Sequence, residues 1–409
     1  MSKFPVSFWI KSLLINLLIV VCMGVLMRYK IGFEFPYFEQ RNILHAHSHF
    51  AFSGWITQAL LVFITQLYEP FLTEKQRRKF CVLLWLNNIL SYCMLISFFI
   101  QGYGMFSIAF SSASILLIFA FALLFYKNSD SFPESLQSLK WINAGLLFAI
   151  ISSIGTAVLA YTMTHKITNQ FVYLSSVYFY LHFQYNGWFF FACMGLFVAF
   201  ANKMNIEIKK EKTIFILFFS ACLPAYFLST LWANIPNWLY VLVLLAAISQ
   251  MYAWILLLKN MWGKLKNNQL PKIVYFLICY LAIALSIKFM LQLGSTVPSI
   301  SKLAFGFRPI VIAYLHLVLL AIISILIILY MLVSKYIINR KWAEFFIYCF
   351  ATGVFLNELS LAVQGISSLF YISIPYINNM LFGISIILFV SVLSLLITQI
   401  KKEKYRLLS

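Results

Sequence analysis

The chain is short of charge. Only 10% of its 409 residues are Asp, Glu, Lys or Arg, and just 11 are acidic, while 63% are apolar. That balance excludes a water-soluble globular domain. Alternation is also missing. The apolar runs are apolar all round for about twenty residues, whereas outer-membrane barrel strands alternate over about ten. No polar segment is long enough to form a separate soluble domain. No Cys-x-x-Cys occurs, and all seven cysteines lie inside apolar runs, so they read as small buried hydrophobes. Glycine is sparse at 15, and neither a low-complexity linker nor an internal repeat stands out. The N-terminus, Met-Ser-Lys-Phe-Pro, runs straight into an apolar stretch with no cleavage site. A retained first helix is expected there.

What is present is twelve apolar runs, at 7–27, 43–68, 80–101, 105–126, 140–163, 171–201, 213–233, 237–259, 272–294, 309–334, 342–365 and 376–400. They predict an all-α polytopic protein, residues 1–409 forming one membrane domain. The net charge of +19 raises the question of nucleic acid. The cations answer it, because nearly all sit in short loops between apolar runs, where they orient the chain and meet anionic lipid. With both termini cytoplasmic, 23 Lys and Arg fall on inside segments and 6 on outside ones. The expected setting is a bacterial cytoplasmic membrane, with lipid as a partner and no nucleic acid.

Ionisable side chains inside spans are costly and mark function by default. Three of the six histidines, His45, His47 and His49, head the second span. His45 and His49 are one turn apart and share a face, while His47 points the opposite way. His182 lies roughly 16 Å into the sixth span and His316 roughly 12 Å into the tenth, at 1.5 Å per residue. All three spans enter from the outside. Two histidines from parallel helices at similar depth can clamp a haem iron. Arg41 and Arg308, at the outer ends of the second and tenth spans, would then meet the propionates. The other reading is local, with each imidazole hydrogen-bonding a serine, tyrosine or carbonyl. Glu358, near the middle of the eleventh span, is protonated, paired with Lys288, or part of a proton path. Lys288, near the outer end of the ninth, either snorkels or serves as a third propionate partner. His165 falls in an outer loop and reads as solvated.

The local strings carry a resemblance. Arg41-x-x-Leu44-His45 followed by Phe-Ala-Phe-Ser-Gly is similar to the second-helix motif of C-type haem-copper oxidases, with a one-residue offset. His182-Phe-Gln-Tyr185-Asn186-Gly is similar to the sixth-helix motif of nitric oxide reductases. Ile-Ala-Tyr314-Leu-His316 is similar to the tenth-helix His-x-His motif. The chain thus resembles the catalytic subunit of haem-copper oxidases and nitric oxide reductases. The resemblance implies a subunit I-like bundle and one low-spin b-type haem on His316 and His45. Depth, by contrast, matches His49 to His316. It also implies that His182 is a remnant metal ligand, with His47 the other candidate for metal. Tyr314 occupies the high-spin haem position, Asn186 replaces a glutamate, and the seventh span has no histidine. The second metal site is therefore expected to be incomplete. The expected function is electron transfer or redox or gas sensing without oxygen reduction, with an electron donor or respiratory-type subunits as partners. One alternative is a transporter or metal-handling permease using His45, His49, His182, Glu358 and Lys288. The other is a membrane hydrolase or desaturase holding a single zinc.

Overall fold

The computed structural model describes residues 4–133, 136–233, 235–267, 270–337 and 340–406. Among them there is no strand, and twelve helices are long and apolar enough to cross a membrane. In order they are α1 (Val6–Gly32), α2 (Gln40–Phe71), α3 (Glu74–Gln101), α4 (Met105–Lys127), α5 (Ser138–Thr164), α6 (Gln170–Lys203), α7 (Glu211–Thr230), α8 (Asn237–Lys264), α9 (Lys272–Gly294), α10 (Arg308–Val333), α11 (Lys341–Leu369) and α12 (Ile377–Ile400). All twelve expected spans are present. Several helices overrun their apolar run, because a polar first turn can continue a helix out of the hydrocarbon. Glu74–Lys79 does so at the head of α3, started by a capping box in which Gln76 N donates to Thr73 Oγ1 and Thr73 N to Gln76 Oε1. A short helix, Pro298–Gly306, fills the loop before α10.

Helices follow from the apolar composition, since only a helix satisfies its own backbone in lipid. They cluster into two compact units. The first holds residues 1–133, 327–360 and 374–409. In it α1 packs along α12, α2 lies against α1 and α3, and α3 pairs with α4. The second holds residues 134–326 and 361–373. There α5 packs on α6, α7 on α8, and α9 touches both α8 and the middle of α10.

Two helices are far more enclosed than the rest. The most apolar window of α2 and of α6 is 83% buried, against 44% or less for every other span. Their neighbours approach closely. On α5, a Cβ added to Gly155 would meet Ser176 O and Tyr180 N of α6 at 2.7 Å. Only glycine allows that backbone contact, the usual device for helix pairing in lipid. At the start of α7 in the same unit, Glu211 is buried and takes Lys140 as an ion-pair partner and Trp141 as a donor, tying α7 to α5.

Candidate functional site

Among the described residues three spans hold a π-helical segment, and they are the three that carry intramembrane histidine. A π-helical segment runs over Ala51–Thr57 in α2, Phe183–Phe189 in α6 and Leu317–Ser324 in α10. Each begins one or two residues after His49, His182 or His316. π segments in longer helices often mark functional sites, because the wider turn re-aims side chains and frees carbonyls.

The sequence around them repeats. His49-Phe-Ala-Phe-Ser-Gly-Trp55 and His182-Phe-Gln-Tyr-Asn-Gly-Trp188 share His-Phe-x-aromatic-polar-Gly-Trp, and His316 follows at nearly the same interval, 133 and then 134 residues. The match covers seven residues, four of them identical.

In α2, side chains of neighbouring helices bond to carbonyls of the π segment. Asn16 of α1 donates to Gly54 O at 2.6 Å, and Asn87 of α3 donates to Ser53 O at 3.2 Å. Asn87 also donates to Gln58 Oε1 at 2.7 Å, and Tyr92 OH donates to Asn16 Oδ1 at 2.8 Å. This buried amide network was not anticipated. Its sequence signal is the presence of Asn16, Asn87 and Gln58 within otherwise apolar runs.

The histidines of α2 divide as helix geometry requires. His47 faces α1, where its Nδ1–H donates to Val20 O at 3.0 Å. His45 and His49 face the α3–α4 corner. The His49 ring stacks on Phe98 with centroids 4.1 Å apart and planes 10° apart, and its Nε2 is hydrogen-bonded to Tyr103 OH at 3.2 Å. His45 meets the Tyr103 ring edge-on at 4.6 Å. The His45 Nε2 is buried and has no hydrogen-bond partner. Arg41, one turn outward, is exposed.

In α6, His182 is fully buried and both ring nitrogens are engaged. Nε2–H donates to Cys222 O of α7 at 2.9 Å, and Nδ1 accepts from Asn186 Nδ2 at 3.2 Å. The carbonyl is available because α7 tightens into a 3₁₀ turn over Tyr226–Thr230, just after Pro224, so Tyr226 N–H turns to Leu223 O and leaves Cys222 O behind. As placed, the His182 ring has no lone pair to give a metal. The Cys222 carbonyl fixes the tautomer, and the Asn186 amide occupies the remaining nitrogen. Its own Oδ1 is buried without a partner.

In α10, His316 is half-buried and its Nδ1–H donates to Ile312 O at 2.9 Å. That bond places the lone pair on Nε2. Two residues back, Tyr314 packs edge-on to Tyr185 of α6, with centroids 6.1 Å apart. Arg308, the first residue of α10, is exposed.

Lys288 does not snorkel. It is 3% exposed, its Nζ donates to Gln292 Oε1 at 2.9 Å, and it lies 4.2 Å from the Phe289 ring centroid and 5.5 Å from that of Phe190. Buried aromatic faces hold a cation by its attraction to their π charge. Glu358 is half-buried and accepts from the neighbouring Asn357 at 3.1 Å. His165 is exposed in the α5–α6 loop. All seven cysteines are free thiols. Among the described residues no three His, Cys, Asp or Glu side chains gather within metal-binding reach.

No family model matches the chain, and no curated protein matches it in sequence. The chain is an all-α, multi-pass membrane protein. What distinguishes this membrane protein is a set of three histidine-bearing spans, each loosened into a π segment beside its histidine.

Proposed function

We propose that the chain is a haem-copper-oxidase-like membrane protein that binds one low-spin b-type haem, with His45 of α2 and His316 of α10 each a candidate axial ligand. The observation that carries the proposal is the buried Nε2 of His45 without a hydrogen-bond partner. An orphaned buried polar atom costs about 1–3 kcal/mol, and a bond to iron would remove that cost. His316 is suited to the same role, because donation from Nδ1–H to Ile312 O fixes the tautomer with its lone pair on Nε2 and makes that nitrogen a better ligand. Arg41 and Arg308, exposed at the outer ends of these two helices, are the cations for the propionates.

A bound haem would supply a reversible one-electron couple. The residues around the candidate ligands favour electron transfer, or redox or gas sensing, over oxygen reduction. His182 has both nitrogens in hydrogen bonds, His47 commits Nδ1–H to Val20 O, and Tyr314 stands beside Tyr185 where the related enzymes carry a histidine. An electron donor or companion subunits in a bacterial cytoplasmic membrane would complete that role.

The test is the absorbance spectrum of the purified protein, oxidised and reduced. Expected is the Soret and α-band pattern of six-coordinate haem, lost in His45→Ala and His316→Ala and kept in His49→Ala. A protein produced with ample haem that shows no Soret band removes the proposal.

A further inference from the structure

A groove of about 720 Å³ opens between α3 and α4 at their inner ends. One end is charged, lined by Glu74, Lys75, Arg78 and Lys79. The other is apolar, lined by Val82, Leu83, Ala120 and Leu124. From Glu74 to Leu83 the helix rises roughly 14 Å, so the groove runs from the headgroup level well into the hydrocarbon. Beside the groove α3 and α4 are locked together by Phe80 and Phe121, fully buried against each other with centroids 5.2 Å apart.

The charges there are not balanced. Glu74 is already taken by Arg77 and Arg78. Lys75 and Lys79 are exposed and, among the described residues, have no carboxylate within ion-pair distance. Two uncompensated ammonium groups therefore stand above an apolar trough. A partner must bring negative charge at one end and a hydrocarbon chain at the other.

We propose that this groove is a binding site for one anionic diacyl phospholipid of the cytoplasmic leaflet. Its phosphate sits on Lys75 and Lys79, with the outer flank of Arg78 beside it. One acyl chain lies along Val82, Leu83, Ala120 and Leu124. The site belongs to the first unit alone and does not depend on any haem. Basic pockets between spans on the cytoplasmic side suit anionic headgroups, each surface cation contributing to the attraction.

The experiment uses the full chain in nanodiscs of phosphatidylcholine with or without phosphatidylglycerol, released and read by native mass spectrometry for retained lipid. Wild type should keep one phosphatidylglycerol in preference to phosphatidylcholine. Lys75→Gln with Lys79→Gln should weaken that retention roughly ten- to thirty-fold. Val82→Trp with Ala120→Trp, which fills the trough and leaves both cations, should abolish it. Lys209→Gln with Lys212→Gln removes two exposed cations of another loop and should change nothing. Equal retention of both lipids by wild type overturns the proposal. So does retention by the double glutamine variant, or equal loss in the Lys209 and Lys212 control. Retention by the tryptophan-filled variant also overturns it, since surface charge alone would then explain the binding.

Discussion

The π segments of α2 and α6 are built on the same seven-residue pattern, yet their histidines end in opposite states. In α6 the imidazole is a knot, holding Cys222 O of α7 with one nitrogen and accepting Asn186 with the other. In α2 the work of satisfying the π segment passes to Asn16 and Asn87, on neighbouring helices. The histidines there are left to an aromatic corner of Phe98 and Tyr103, with one buried nitrogen unmatched. The difference separates scaffold from site. A buried imidazole with both nitrogens bonded rigidifies a fold, while one with a nitrogen unmatched is kept at a cost.

The contrast can be broken most severely at Gly155. Gly155→Val would drive a side chain into Ser176 O and Tyr180 N of α6. A loss of about 3 kcal/mol is expected, seen as a large drop in melting temperature in detergent. Gly54→Ala in α2 would bring a smaller side chain against the ring of Phe50 at 2.6 Å, a side-chain rather than a backbone contact, and should cost less. An equal drop in both would mean that α6 is not the tighter of the two.

Next comes the histidine exchange. His182→Leu strands Cys222 O and the Asn186 amide and should cost about 2 kcal/mol. His45→Leu removes an orphan and should change the stability of haem-free protein by less than about 0.5 kcal/mol. Thermal unfolding of both variants, prepared without haem, decides whether the two histidines differ as their hydrogen bonds say. A third, smaller effect belongs to Asn87→Leu. It removes the side-chain donor to Gln58 Oε1 and leaves Ser53 O with the Gln58 N–H alone, and about 1 kcal/mol is expected for bonds of this kind in a membrane protein. Proteolysis of the α2–α3 region under mild heating would report it. Smallest is Tyr103→Phe, which deletes one hydroxyl bond to His49 at the edge of the bilayer. Stability should move by a few tenths of a kcal/mol at most. A large loss there would make His49, not His45, the strained member of the pair.

The fold was legible because lipid leaves the backbone few choices. A run of twenty apolar residues must be a helix, so twelve spans and their ends could be marked from hydropathy and the placement of Lys and Arg. The face-splitting of His45, His47 and His49 followed from helix period alone. The state of each nitrogen did not. His182 looked like a metal ligand and is a hydrogen-bonded strut, because its acceptor, Cys222 O, exists only where α7 tightens after Pro224. Lys288 looked free to reach the surface and is instead turned onto Gln292 and two phenylalanine rings. The amides of Asn16, Asn87 and Gln58 went unremarked because what they serve is a backbone irregularity with no sequence code of its own.

The amino-acid order thus determined class, span number and which helices carry the unusual side chains, since these depend on transfer to lipid and on helical period. Only the tertiary structure decided which buried polar groups are satisfied and which are not. That is a matter of partners 38 to 54 residues away in the chain, such as Cys222 for His182, Asn16 for Gly54 and Tyr103 for His49. A single sequence holds no record of such distances until the helices pack.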